Sequence, residues 1–145
     1  RRHTRYISVT GVQTCALPIS FSGLQTPYIA IQDFTSKYLP SCAAQTVSPN
    51  GNAYLDAMAS VLIHEIDESI TDPFLNAYYD SNGAENADKC AWTFGTTTKV
   101  GTGTTSYMYN WTGGSYKYLI QQNWLANNLV TTSGAAKGTA CTIFA

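Results

Sequence analysis

One amphipathic segment between positions 52 and 73 constrains the fold most. Its apolar side chains recur at helical spacing and form a single stripe: Leu55, Met58, Ala59, Leu62, Ile66 and Ile70. Asn52 can cap the start of this helix. Asp72-Pro73 ends it, because proline removes a backbone donor and disfavours helical geometry in the residue before it. The sequence therefore predicts one long helix with an apolar face for core packing.

We interpret the first nineteen residues as having a different origin from the rest of the chain. VTGVQTCALPI reads as an in-frame translation of a common sequencing adapter, and the preceding RRHTR as its primer region. We therefore interpret 1–19 as a non-native segment and 20–145 as one N-terminally truncated domain. The remainder has five lysines against nine carboxylates, a formal net charge of -4. We expect no nucleic-acid partner, since such binding needs a clustered basic surface.

The composition favours an extracellular protein. Charged residues are 12% of the chain, about half the usual share. Outside the first segment, Cys42, Cys90 and Cys141 lack the CxxC spacing of a zinc ribbon or redox site, so disulfides in an oxidising compartment are expected. Their odd number leaves at least one partner missing or free. Asn110-Trp111-Thr112 fits a glycosylation acceptor, and no apolar run is long enough to span a membrane.

The second half of the chain has β character. Two aromatic and β-branched runs, Tyr107–Trp111 and Tyr116–Ile120, flank Thr112-Gly113-Gly114-Ser115. Glycines supply the positive φ angles of a tight turn, so a C-terminal β-hairpin is predicted. The expected fold class is α+β, with the central helix packed on a mainly antiparallel sheet.

The predicted helix carries a pattern close to that of zinc metalloproteases. His64 and Glu68 are four residues apart and can converge on one point, with Glu65 beside it. In the HExxH helix two such side chains hold zinc while the intervening glutamate activates water. Here the motif reads HExxE, and a carboxylate can replace imidazole as a zinc ligand. A zincin-like site is therefore one interpretation.

Acidic residues are concentrated around this motif. Seven of the nine carboxylates lie within positions 65–88, and this stretch contains no lysine or arginine. Their repulsion favours a bound cation or raised carboxyl pKa values. A turn at 80–83 could fold Glu85 or Asp88 over the helix as a third ligand. The alternative is an ordinary His64–Glu68 pair among solvated surface acids.

A longer block of sequence resembles the secreted EXORDIUM family, also called phosphate-induced proteins. The block runs from Met58 to Trp92, and SPNGN before it and YLIQQNW after it are also similar. It departs from the family pattern at Tyr78, where tryptophan is usual, and at Asp67, where alanine is common. The matching positions are His64, Glu65, Glu68, Thr71, Pro73, Asn76, Ala77, Tyr79, Gly83, Glu85, Asp88 and Cys90.

The resemblance implies an extracellular or cell-wall protein connected with plant growth, without an established reaction. We derive two hypotheses. In the first, His64, Glu68 and Asp88 hold zinc or another divalent ion, Glu85 is an alternate ligand, and Glu65 is the general base of a peptidase-like hydrolase. In the second, the protein is a non-catalytic module whose aromatic side chains contact wall polysaccharide. We also predict a Cys90–Cys141 disulfide, with Cys42 having lost an upstream partner. The oligomeric state stays open.

Overall fold

The computed structural model describes residues 16–19, 28–31, 38–74, 76–124 and 141–143. Within these ranges, eight short strands form four separate antiparallel pairs, β1–β2, β3–β4, β5–β6 and β7–β8. The elements are β1 (Ala16–Ile19), β2 (Tyr28–Ile31), α1 (Leu39–Cys42), α2 (Ala53–Thr71), β3 (Thr98–Val100), β4 (Tyr107–Tyr109), β5 (Trp111–Gly113), β6 (Tyr116–Tyr118), β7 (Asn123–Trp124) and β8 (Cys141–Thr142). Short 3-10 helices cover Asp88–Cys90 and Gly103–Thr105. None of the described helices has the length and apolarity to cross a lipid bilayer.

The predicted long helix is confirmed at both ends. The side-chain oxygen of Asn52 accepts hydrogen bonds from the backbone N–H groups of Tyr54 and Leu55, at 3.1 and 3.2 Å. These bonds satisfy two of the donors that a helix start leaves unpaired. At the other end, Asp72 is the C-cap and its N–H still donates to the carbonyl of Glu68 at 2.7 Å. Helix α2 therefore begins and ends at the residues that the sequence predicts.

The face that α2 buries is opposite to the one expected. Four members of the apolar stripe are exposed, Leu55 to 60%, Ile70 to 72%, and Leu62 and Ile66 to lesser extents. Met58 is half-buried and packs against the small apolar cluster around Val61. The buried residues of α2 are instead Ala57, Ser60, Val61, His64, Glu65 and Glu68. The expectation that the stripe packs into the core is therefore wrong for these four side chains.

Substitutions on the two faces of α2 should separate buried from exposed apolar groups. Val61 is fully buried beside Ala57, Cys42 and Ala91. We expect Val61→Ala to lower the free energy of unfolding by about 2 kcal/mol, since it deletes two methyl groups and leaves a cavity. Ile70→Ala removes more carbon from an exposed site and should cost under about 1 kcal/mol. Urea denaturation measures both, and a larger loss for Ile70→Ala would contradict the burial pattern.

The N-terminal end of α2 is tied to the hairpin strand β6. The side-chain amide of Asn50 donates to the carbonyl of Lys117 at 2.7 Å and accepts from its N–H at 3.0 Å. The same amide nitrogen also donates to Asp56 at 2.6 Å. Ser48 donates to the other carboxylate oxygen of Asp56. This network fixes the position of α2 relative to the second half of the chain.

The predicted hairpin is present, with its turn displaced by one residue. β5 and β6 pair Trp111 with Tyr118 and Gly113 with Tyr116, leaving Gly114-Ser115 as a two-residue loop. Gly114 has φ +60°, the positive angle that a type II′ turn requires at its first central position. Gly113 belongs to the strand. The run at Tyr107–Tyr109 pairs with the upstream strand β3 instead.

Asn110 of the glycosylation motif is engaged inside the fold. Its amide nitrogen donates to the carbonyls of Phe94 and Ile120, at 2.9 and 2.7 Å. Its oxygen accepts from the N–H of Ile120 at 2.8 Å. A sugar on this nitrogen would replace one of the two donated hydrogens. The folded arrangement is therefore incompatible with a glycan at Asn110.

Disulfides connect distant segments of the chain. The predicted Cys90–Cys141 bond is present and joins the 3-10 helix Asp88–Cys90 to β8. Cys42 is also disulfide-bonded, so the expectation that it lacks a partner is wrong.

The segment interpreted as non-native overlaps the described residues at one strand. β1, Ala16–Ile19, pairs with β2 in antiparallel register and lies against α2. The adapter origin of residues 1–19 stays a prediction. The classification of the fold as zincin-like also stays a prediction.

Candidate metal centre

The residues predicted to form the site lie in the interior. His64, Glu65 and Glu68 project from the buried face of α2, and each is at most 1% exposed. Glu85 and Asp88 approach from the segment after the helix and are 5% and 6% exposed. The alternative hypothesis, in which His64 and Glu68 form a pair on the solvated surface, does not fit these low exposures. Ionisable groups this deeply buried need a compensating charge or a bound proton.

Distances within the cluster match those between ligands of a small metal ion. Nε2 of His64 is 3.0 Å from Oε1 of Glu68 and 3.7 Å from Oδ1 of Asp88. Tetrahedral bonds of about 2.1 Å separate neighbouring ligand atoms by about 3.4 Å. The two observed distances bracket that spacing. Each of the two carboxylates therefore lies at ligand spacing from the imidazole nitrogen.

A turn delivers the two downstream acids to the helix, as predicted. One carboxylate oxygen of Asp80 accepts from the N–H groups of Asn82 and Ala84, at 2.7 and 3.1 Å. Gly83 adopts φ +84°, which favours glycine over residues with a Cβ. After this turn, Oδ2 of Asp88 accepts from the N–H of Glu85 at 3.3 Å. That bond holds one oxygen of Asp88, while Oδ1 faces His64.

Many polar atoms of the cluster lack well-aligned hydrogen bonds. Among the described residues, both nitrogens of His64, both oxygens of Glu65 and of Glu68, and Oε1 of Glu85 are buried without such a partner. The carboxylate oxygens of Glu68 and Asp88 form ion pairs with Nε2 of His64. Buried polar atoms are normally satisfied by protein or by a bound group. Nitrogen and carboxylate donors in this arrangement fit a divalent cation.

Without a bound ion, several ionisable groups of the cluster have strongly shifted pKa values. Burial raises the pKa of Glu65 to about 8, and the nearby Glu68 charge adds to this. Burial, with Glu68 next in importance, also raises the pKa of Glu85 to about 8. Burial lowers the pKa of His64, but the Asp88 and Glu68 carboxylates outweigh it and bring the value to about 10. The metal-free cluster therefore retains protons at neutral pH.

Asp72 has a structural role that the sequence did not reveal. One of its carboxylate oxygens accepts from the N–H groups of Asn76 and Ala77, at 2.6 and 2.9 Å. The residue is buried at the end of α2 and fixes the chain as it leaves the helix. Its membership of the acidic run was visible in the sequence. Its bonding to a loop four and five residues ahead was not.

The structure brings all the predicted site residues together. His64, Glu65 and Glu68 offer ligand atoms that lie within 4.8 Å of one another, and so do Glu68, Glu85 and Asp88. Glu68 belongs to both sets. The roles assigned to these residues, metal ligands and general base, stay predictions.

Comparison with known proteins assigns the chain to a family. The phosphate-induced protein 1 conserved region matches residues 12–131, so the chain belongs to the phosphate-induced protein family. This confirms the resemblance to EXORDIUM proteins. The chain is 36% identical over 94 residues to Protein EXORDIUM-like 3 of Arabidopsis thaliana, covering 58% of this chain and 27% of that protein. The chain thus spans about a quarter of its relative's length. No solved structure matches it.

Proposed function

We propose that this EXORDIUM-like chain is an extracellular protein that binds a divalent metal ion, with zinc as the first candidate. The ligands are His64, Glu68 and Asp88. The observation that carries the proposal is a buried set of imidazole and carboxylate groups at ligand spacing, in which the side-chain atoms of His64 and Glu68 have no hydrogen-bond partner among the described residues. Disulfides at Cys42 and Cys90 support an oxidising location.

Removal of the imidazole should abolish the bound ion. The purified protein is expected to carry a stoichiometric divalent metal by elemental analysis, and His64→Ala should lose it, since imidazole is the only nitrogen ligand in the cluster. Leu55→Ala, at an exposed position of the same helix, is the control. It truncates a side chain that is 60% exposed and contributes no ligand atom. The absence of metal from the unchanged protein would contradict the proposal.

A hydrolytic role for this site is the finer proposal. A bound divalent ion lowers the pKa of water and polarises a carbonyl group. Glu65 lies beside His64 and Glu68, and neither of its buried oxygens has a hydrogen-bond partner among the described residues. A bound cation that displaces its proton would leave the carboxylate able to accept one from water. We propose it as the general base of a peptidase-like hydrolase. Because the cluster is buried, substrate entry requires the neighbouring residues to open.

Replacement of Glu65 tests this role. Glu65→Gln keeps the size of the side chain and removes its basicity, so the variant should retain the ion while hydrolysis of a broad peptide library falls at least about 100-fold. Elemental analysis of the same preparation separates loss of metal from loss of catalysis. Metal binding without hydrolysis in the full-length protein would contradict the peptidase hypothesis. It would instead favour the non-catalytic module, whose exposed aromatics such as Tyr78 and Tyr116 would contact polysaccharide.

A further inference from the structure

The buried cluster contains two overlapping sets of ligand atoms. The first joins His64 to Glu68 and Asp88, at 3.0 and 3.7 Å from Nε2. The second joins Glu68, Glu85 and Asp88, whose oxygens lie within 4.8 Å of one another. Glu68 and Asp88 belong to both. A carboxylate has two oxygens, so each of these residues can contribute to two neighbouring ions.

We propose that this cluster holds two divalent ions bridged by Glu68 and Asp88, with His64 completing the first site and Glu85 the second. This inference rests on the proposed function, which supplies the first ion. The new element is the second ion, in a site built only from carboxylate oxygens. Bridged pairs of metal ions in proteins lie about 3.5–4 Å apart, a separation that shared carboxylates permit.

One buried carboxylate oxygen points to the second site independently of the first. Oε1 of Glu85 is buried without a hydrogen-bond partner among the described residues, and the whole side chain is nine-tenths or more buried. His64 forms no ion pair with Glu85 in the described part of the chain. A single ion held through His64 therefore leaves this oxygen without a donor among the described residues, while the neighbouring Asp72 carboxyl group is the hydrogen-bond partner of the Glu85 side chain.

The charge of the cluster also exceeds that of one ion. Glu65, Glu68, Glu85 and Asp88 carry four negative charges when ionised, and a single divalent ion neutralises two of them. A second ion would balance the other two. The donor types of the two sites differ. Imidazole with carboxylates suits zinc, whereas an all-oxygen set suits harder ions such as Mn²⁺, Mg²⁺ or Ca²⁺.

Manganese provides a probe that counts the ions and reports their proximity. The full chain, stripped with chelator and reloaded with Mn²⁺, should bind two ions per chain by elemental analysis and show a spin-coupled signal by electron paramagnetic resonance. Glu85→Gln should reduce the count to one ion and replace the coupled signal by that of isolated Mn²⁺. Leu55→Ala, at an exposed position of the same helix, should retain both ions, and circular dichroism of each variant verifies folding.

The outcomes separate this inference from the proposed function. One ion per unchanged chain, lost in His64→Ala, would leave the proposed function standing and overturn the second site. No bound ion would overturn both. Two ions without spin coupling, or two ions retained in folded Glu85→Gln, would show that the shared carboxylate arrangement is wrong.

Discussion

Stripped of divalent ions, the chain is expected to unfold at a lower temperature at pH 8 than at pH 5. The unfolded values of Glu65 and Glu85 are near 4.5, and in the folded protein the pKa of each is raised to about 8 by burial. Between these values the folded state binds more protons than the unfolded state. The free energy of unfolding therefore falls as pH rises through this window.

His64 extends the same trend to higher pH. Its folded pKa is about 10 against 6.5 in the unfolded chain, so its contribution is present below 6.5 and is lost as pH rises toward 10. The combined loss between pH 5 and 8 should amount to several kcal/mol, a large part of a typical domain's stability. Thermal unfolding in chelator across this range measures it.

A bound ion should reverse this dependence, because metal ligands must be deprotonated and an ion that binds only the folded state stabilises it. The difference in melting temperature between loaded and stripped protein should therefore widen as pH rises. Glu65→Gln in chelator is the matched variant, and its stability should fall less steeply with pH. A stripped protein whose stability stays level or increases from pH 5 to 8 would contradict the buried, proton-retaining cluster.

Loss of the Cys90–Cys141 disulfide is expected to destabilise the chain by about 4 kcal/mol. The bond closes a loop with a sequence separation of 51, and cross-links of this span restrict the unfolded chain by about that free energy. The Cys90→Ser, Cys141→Ser double variant is preferable to a reductant, since Cys42 is also disulfide-bonded. Urea denaturation under oxidising conditions gives the change in stability.

The same variant should bind metal more weakly. Cys90 lies two residues after Asp88 in one 3-10 helix, so release of the disulfide frees the segment that carries this ligand. We expect at least a tenfold loss of affinity in titration with Zn²⁺. A double variant with unchanged affinity would show that the loop from Asp80 onward positions Asp88 without help from the disulfide. A change in stability below about 1 kcal/mol would contradict the expected restraint.

The sequence predicted features whose causes lie within a few residues. Asn52 and Pro73 bound α2 through local hydrogen bonding and backbone restriction, and the structure has the helix between them. A glycine-containing turn likewise produced the hairpin. Its exact register was not predictable, because either Gly113 or Gly114 satisfies the turn and cross-strand pairing selects between them.

Burial depended on contacts that local patterns do not contain. Periodicity identified two faces of α2 but not which one meets the rest of the chain, and the structure places the face with Val61 and Glu68 inside. The site residues themselves were identifiable, since His64 and Glu68 are one turn apart and a turn precedes Glu85. The depth of the cluster and its shared ligand sets come from long-range packing.

The inward face of α2 has a consequence for how this helix can vary. A polar residue at Leu55 or Ile70 changes side chains that are largely in solvent, so we expect the fold to accept it. A leucine at Glu68 would be well matched to an interior by hydropathy and would still remove a member of both ligand sets. A score that rates substitutions by hydrophobicity would therefore predict the opposite of the tolerance that we expect at these positions of α2.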